Sequence, residues 1–297
     1  DFYATLIGAG GVLQIALAVS GTKMRRSGDT LDLSLLTAGA VVTVDSEGDV
    51  SATDGQEEVS DLAGIRNLRG SGHADTLRGP PAARVVWDIT GVYSGAVAGL
   101  SFICIETLEG AEDNEDVFVV HPGGRVDAVR GGEGGWDLLK VAGTTVIAAP
   151  TGLQSGTVVI DGSILTYAGL EPVDISAASV TINGADQSLL NEADFLKVTP
   201  KAAGEVQVQF RDPFDLIDIA ELHWFTVAGT TDVTINGGDG RDIVRFEGTV
   251  HLGSASLTVN AEEIQVGGAV TTTGNVTLAA ADTVSGGVGS GVTGCIV

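Results

Sequence analysis

Asp239 and Asp242 stand in the stretch Asn236-Gly237-Gly238-Asp239-Gly240-Arg241-Asp242-Ile243-Val244-Arg245-Phe246, where residue type and spacing point most directly to chemistry. Three closely spaced glycines allow a turn with positive φ or close backbone approach, which β-branched residues would resist. Turn carbonyls beside two carboxylates make an all-oxygen ligand set, the kind a hard cation such as calcium takes. A second cluster, Glu112-Asp113-Asn114-Glu115-Asp116, brings four carboxylates close together, and their repulsion calls for a cation or water. Asp239, Asp242, Asp113 and Asp116 are therefore the candidate metal ligands. The same carboxylates have a structural alternative, which is to cap a chain corner by accepting backbone N–H bonds. Calcium-binding turns of this kind recur roughly nine residues apart so that they stack on one another. Here the next segment reads Thr249-Val250-His251-Leu252-Gly253 instead.

A different chemistry is open at Arg211-Asp212-Pro213-Phe214-Asp215-Leu216-Ile217-Asp218, followed by Glu221, His223 and Trp224. Glycan cleavage needs two or more converging acids, and Asp212, Asp215 and Asp218 would share one side of a helical turn, with Trp224 as a sugar platform. The alternative is a polar loop whose Phe214, Leu216, Ile217 and Trp224 pack as a lid. His73, His121, His223 and His251 are scattered, with no pair at zinc-ligand spacing. Gly-x-Ser-x-Gly and phosphate-loop motifs do not occur. Thr271-Thr272-Thr273 reads as a strand and its turn.

The elements that must position these residues are strands. Short alternating or β-branched runs recur along the chain and close on Gly, Asn or Asp: Val41–Val44, Val117–Val120, Thr157–Ile160, Ile164–Tyr167, Val180–Ile182, Val206–Phe210 and Val233–Ile235. Short helices are expected only at Ser188–Ala193 and Leu216–Leu222. From Val250 to Val284 apolar residues return in steps of about six to eight, a rhythm of short strands around a narrow core. The 43 glycines, 5% aromatic residues and single Met also suit a stack of β-branched and small residues with glycine corners. The expected fold is all-β, a right-handed parallel β-helix (β-solenoid) with irregular insertions. It is expected as one elongated body over 1–297, with 1–150 the less regular part and 151–297 the more regular one. Internal repeats agree with this. Ile65-Arg66-Asn67-Leu68-Arg69-Gly70 leading to Asp75-Thr76-Leu77 shares its frame with Ile105-Glu106-Thr107-Leu108-Glu109-Gly110 leading to Asp116-Val117-Phe118.

At these residues the chain resembles the large secreted bacterial repeat proteins, adhesin-like and haemolysin-type, that carry degenerate calcium-binding repeats. The frame at Ile105–Val120 with Gly131–Val141, the Gly156–Pro172 block, Asn236–Phe246 and Asn260–Ile264 carry the resemblance. It implies an elongated, extracellular or cell-surface β protein with a structural or adhesive role, calcium as a cofactor, and surface glycans or other extracellular proteins as partners.

Charge narrows the partners. With 39 acidic against 15 basic residues the formal charge is −24, which excludes nucleic acid and anionic membrane surfaces as natural partners. No apolar run is long enough to insert into a membrane. Asp1 rather than Met opens the sequence, so the chain is taken as a segment of something longer. The expected function is a non-catalytic structural or adhesive segment; the alternative is a carbohydrate-active enzyme, a polysaccharide lyase or hydrolase, on the same scaffold.

Overall fold

Alternation is what makes these runs strands. In Arg84-Val85-Val86-Trp87-Asp88-Ile89 the odd-numbered residues are buried and the even-numbered ones exposed, the period of a half-buried strand. The computed structural model describes residues 2–8, 11–17, 30–184, 195–202, 204–211, 222–238 and 241–286. Every regular element among them is a strand, and they fall into two compact units, 1–138 and 139–297. The expected helices at Ser188–Ala193 and Leu216–Leu222 lie outside the described residues, except that Leu222 begins a strand.

In the first unit β1 (Phe2–Gly8) pairs antiparallel with β2 (Gly11–Leu17) and with β3 (Thr30–Asp32). β4 (Val41–Val44), β5 (Val50–Thr53) and β6 (Glu58–Leu62) form an antiparallel meander. β7 (Asn67–Arg69) and β8 (Thr76–Arg78) are short. β9 (Arg84–Gly91), β10 (Ser94–Val97) and β11 (Leu100–Ile103) make a second meander. β12 (Thr107–Glu109), β13 (Glu115–Val120) and β14 (Ala128–Arg130) complete the unit. Parallel pairing between distant strands lines up the core residues. Leu31, Leu68 and Phe102 stand in one register, and Val42, Leu77, Leu108 and Val129 in another. Trp87 lies over Phe118, rings stacked 5.2 Å apart, and both are fully buried.

The second unit begins with β15 (Leu138–Gly152), which forms a meander with β16 (Ser155–Ile160) and β17 (Ser163–Ala168). It continues through β18 (Val173–Asn183), β19 (Phe195–Pro200), β20 (Glu205–Arg211), β21 (Leu222–Thr226), β22 (Asp232–Asn236) and β23 (Ile243–Phe246). β24 (Val250–His251), β25 (Ser256–Val266), β26 (Val270–Thr271) and β27 (Val276–Gly286) follow.

Here the expected fold is corrected. The chain is not a right-handed parallel β-helix or solenoid: within the second unit seven strands close into a β-barrel. The closed ring runs β18–β21–β20–β19–β23–β25–β22 and back to β18. β18 closes one side by pairing with β21 through Val173–Ile175 and with β22 through Ser179–Asn183. β25 does the same for β22 and β23 through its two halves. A solenoid of stacked coils has parallel neighbours only, whereas β19–β20 and β20–β21 are antiparallel. The sequence rhythm misleads because parallel ladders do occur. Val180, Val233, Leu257 and Val276 stand in register, buried, across β18, β22, β25 and β27. Their periodicity dominates the pattern, while the hairpins that close the ring leave no distinctive spacing.

Candidate functional site

The glycine frames end in buried acids. Asp75, Asp116 and Asp242 are each 0% exposed and Asp137 is 4% exposed. Asp75 accepts the N–H groups of Ala40 and Ser71, both at 2.6 Å, and the Ser71 hydroxyl. Asp116 accepts the Trp87 indole N–H at 2.8 Å and the Ala111 N–H at 3.0 Å. Glycine is required beside them because a side chain would run into the acid and, at Gly70 and Gly110, first into the backbone carbonyl oxygens of Cys104 and Gly131. A Cβ on Gly70 would lie 2.5 Å from Asp75 Oδ2, and one on Gly237 would lie 2.5 Å from Asp242 Cβ. On Gly110 it would collide with Asp116 Oδ2.

Asp75, Asp116 and Asp242 are also clasped from a later turn. The Asp75 N–H donates to Glu106 Oε2 at 2.8 Å, that of Asp116 to Asp137 Oδ1 at 2.7 Å, and that of Asp242 to Glu262 Oε2 at 2.9 Å. The partners lie 31, 21 and 20 residues onward, so one device recurs at three corners. Burial has the expected electrostatic effect. Desolvation pushes the Asp137 carboxyl up to about 7, helped by the Asp116 and Glu115 charges against the Asp116 N–H bond. Desolvation likewise raises Asp116, against its hydrogen bonds from Trp87, Asn114 and Ala111, and raises Glu106.

The candidate metal ligands are thereby placed. Asp113 is exposed, in a turn at φ 56°, and its N–H donates to the Glu133 carbonyl. Asp116 is enclosed with its oxygens turned to Trp87 and Ala111, so the two acids do not converge and do not fit a shared cation. Asp242 is buried against Gly237, and Asp239 lies outside the described residues. Among the described residues no group of three or more His, Cys, Asp or Glu side chains converges as metal ligands do. Of the candidate glycan-cleaving set, Asp212, Asp215, Asp218 and Glu221 lie outside the described residues. His223 is a core residue of β21, 3.2 Å from the Tyr167 hydroxyl and edge-on to Phe210. Trp224 is half-buried beneath the Lys201 ammonium, which sits 3.1 Å from its ring centre.

The feature that spacing arguments missed lies on the outer face of the second unit. Asn183, Asn236 and Asn260 stand in register at the ends of their paired segments. Asn236 Nδ2 donates to Asn183 Oδ1 and Asn260 Nδ2 to Asn236 Oδ1, both at 2.8 Å. Two residues back, Thr181, Thr234, Thr258 and Thr277 form a second rank on the same face. A groove of about 680 Å³ runs beside the asparagines, bounded by Glu262 and by Ala279, Ala280 and Ala281. The signal was available in the sequence. Val180-Thr181-Ile182-Asn183 recurs as Val233-Thr234-Ile235-Asn236 and as Leu257-Thr258-Val259-Asn260, with the apolar pair of each inside and the polar pair outside.

Comparison with family models, curated proteins and solved structures returned no match.

Proposed function

We propose that the chain is a non-catalytic structural and adhesive segment of a secreted or cell-surface protein. The observation that carries this reading is the use of its acids. Asp75, Asp116 and Asp137 are buried and their carboxylates hold backbone N–H groups, those of Asp75 and Asp137 across to the distant residues Ala40 and Asp116, which supports a load-holding role. Among the described residues that line the groove there is one carboxylate, Glu262, where glycosidic cleavage uses a pair. A repulsive net charge of −24 keeps such a segment soluble and clear of anionic surfaces. Stabilisation by calcium at the Asn236–Phe246 turn belongs to the same reading, and melting curves in millimolar calcium against matched ionic strength test it. The adhesive role is tested with beads coated with the chain and washed over glycan-coated and matrix-protein-coated surfaces. Retention on at least one surface is expected, and beads that wash from all of them as readily as uncoated beads would sink the reading.

A further inference from the structure

We propose that the outer Thr/Asn face of the second unit, with the groove beside it, binds a neutral glycan; the proposal rests on the adhesive reading above. The hydroxyls of Thr181, Thr234, Thr258 and Thr277 stand at the strand spacing, roughly 4.8 Å apart. Among the described residues they make no hydrogen bond, in contrast to Thr230, Thr271 and Thr272, whose hydroxyls are taken up by nearby carbonyls. The asparagine ladder is polarised. Its internal bonds engage Asn183 Oδ1, both polar atoms of Asn236, and Asn260 Nδ2, which leaves the Asn183 amide as a donor end and Asn260 Oδ1 as an acceptor end.

A sugar hydroxyl both donates and accepts, so it suits either end and the threonine rank alike. Glu262 holds the Asp242 N–H through Oε2 and lines the groove, where its carboxylate supplies a strong acceptor. Ala279, Ala280 and Ala281 give the groove a smooth apolar border for the C–H face of a pyranose. Charge selects within the class. The ranks are uncharged, while Glu262 and the strongly acidic chain repel uronates and sulfated sugars. The geometry therefore fits a neutral polymer lying along the groove, read by amides and hydroxyls.

The experiment is a calorimetric titration of the full chain with cellohexaose and mannohexaose, with hexagalacturonate as the acidic probe. At least one neutral hexasaccharide is expected to bind, at least tenfold more tightly than hexagalacturonate. Asn260→Ala and Thr258→Val, both outward-facing, are expected to weaken it about tenfold while the fold is kept, with Asn260→Ala alone lowering the melting temperature slightly through its lost bond to Asn236. Neutral binding that both variants leave intact would overturn the site while the adhesive reading stands. No binding of either neutral probe, with coated beads still retained on matrix protein, would overturn the glycan assignment alone. Tighter binding of hexagalacturonate would overturn the charge argument and with it the proposal.

Discussion

The backbone N–H of Asp116 donates to Oδ1 of Asp137 at 2.7 Å, so a buried acid in one turn is held by a buried acid in the next. Neither carboxylate has a cationic side chain against it among the described ion pairs; Glu115, next in the chain to Asp116, takes Arg84 at 3.3 Å. The corner is therefore set by backbone and indole donors, and its protonation state matters to the fold.

The first prediction concerns pH. Burial raises the folded-state pKa of Asp137 to about 7, above the roughly 3.9 of an unfolded chain. Between those values the folded form holds the extra proton, so the stability Asp137 contributes is complete below about pH 4 and is lost as pH rises through about 7. Asp116 and Glu106, also raised, act in the same direction. Asp137→Asn keeps an oxygen for the Asp116 N–H and removes the titration. Above pH 7 its melting temperature should exceed that of the parent chain by a few degrees, at about 2–4 °C per kcal/mol. Below pH 4 the two should converge. A parent melting temperature that rises steadily from pH 5 to 8, unaltered by the substitution, would refute this.

A second prediction isolates Asp116. Asp116→Ala strands the Trp87 indole N–H inside the protein, at a cost of about 1–3 kcal/mol, and removes the partner of the part-buried Ala111 N–H, which water can partly replace. Asp116→Asn, which retains an acceptor, should lose less. With Trp136 and Trp224 replaced by Phe, the emission of Trp87 should shift in Asp116→Ala and barely move in Asp116→Asn. Because the carboxylate is committed to these donors, the loss should be equal in calcium and in EDTA. A loss confined to calcium-containing buffer would show that Asp116 is a metal ligand after all.

Much of this device was legible in the sequence. Gly70 with Asp75, Gly110 with Asp116 and Gly237 with Asp242 stand out as a glycine and a following acid, and corner capping was one of the two roles that pattern allows. The clasping partners Glu106, Asp137 and Glu262 were not legible, because they lie 20 to 31 residues away and only strand pairing brings them to the corner. The ring closure was hidden for the same reason. Phe195–Pro200, Glu205–Arg211 and Leu222–Thr226 read as three ordinary strands, and local pattern does not say whether a neighbour runs parallel or antiparallel. The asparagine ladder is the opposite case: the recurring Val-Thr-Ile-Asn was on view, but its meaning depends on register between segments 53 residues apart.

The third prediction separates two reasons for glycine. Gly237 has room for no side chain, since a Cβ would lie 2.5 Å from Asp242 Cβ, so Gly237→Ala must displace the buried acid and should lower the melting temperature by many degrees. Gly48 has open space around it but φ of +80°, and Gly48→Ala should cost only about 1 kcal/mol. Thermal unfolding of both variants decides it. Equal losses would mean that close approach at the Asp242 corner is not what selects glycine.

A fourth prediction addresses the core pairing under the Asp116 corner. Phe118→Ala removes the ring stacked 5.2 Å from Trp87 and should destabilise the first unit by about 3–5 kcal/mol. Ile164→Ala, at an outward position 60% exposed, should change stability by no more than about 0.5 kcal/mol. Denaturant midpoints with unchanged slopes would report this difference, and comparable losses for the two would contradict the assignment of Phe118 to the core.

Holding without cutting is the central claim, and turnover on a bound polymer tests it most directly. The chain is incubated at neutral pH with an insoluble neutral glucan and, separately, with a polyuronate, and both retained protein and newly released chain ends are measured. The account predicts protein retained on the neutral polymer and no release above the polymer alone. Release that co-purifies with the chain and disappears in Glu262→Gln would contradict it and establish an enzyme.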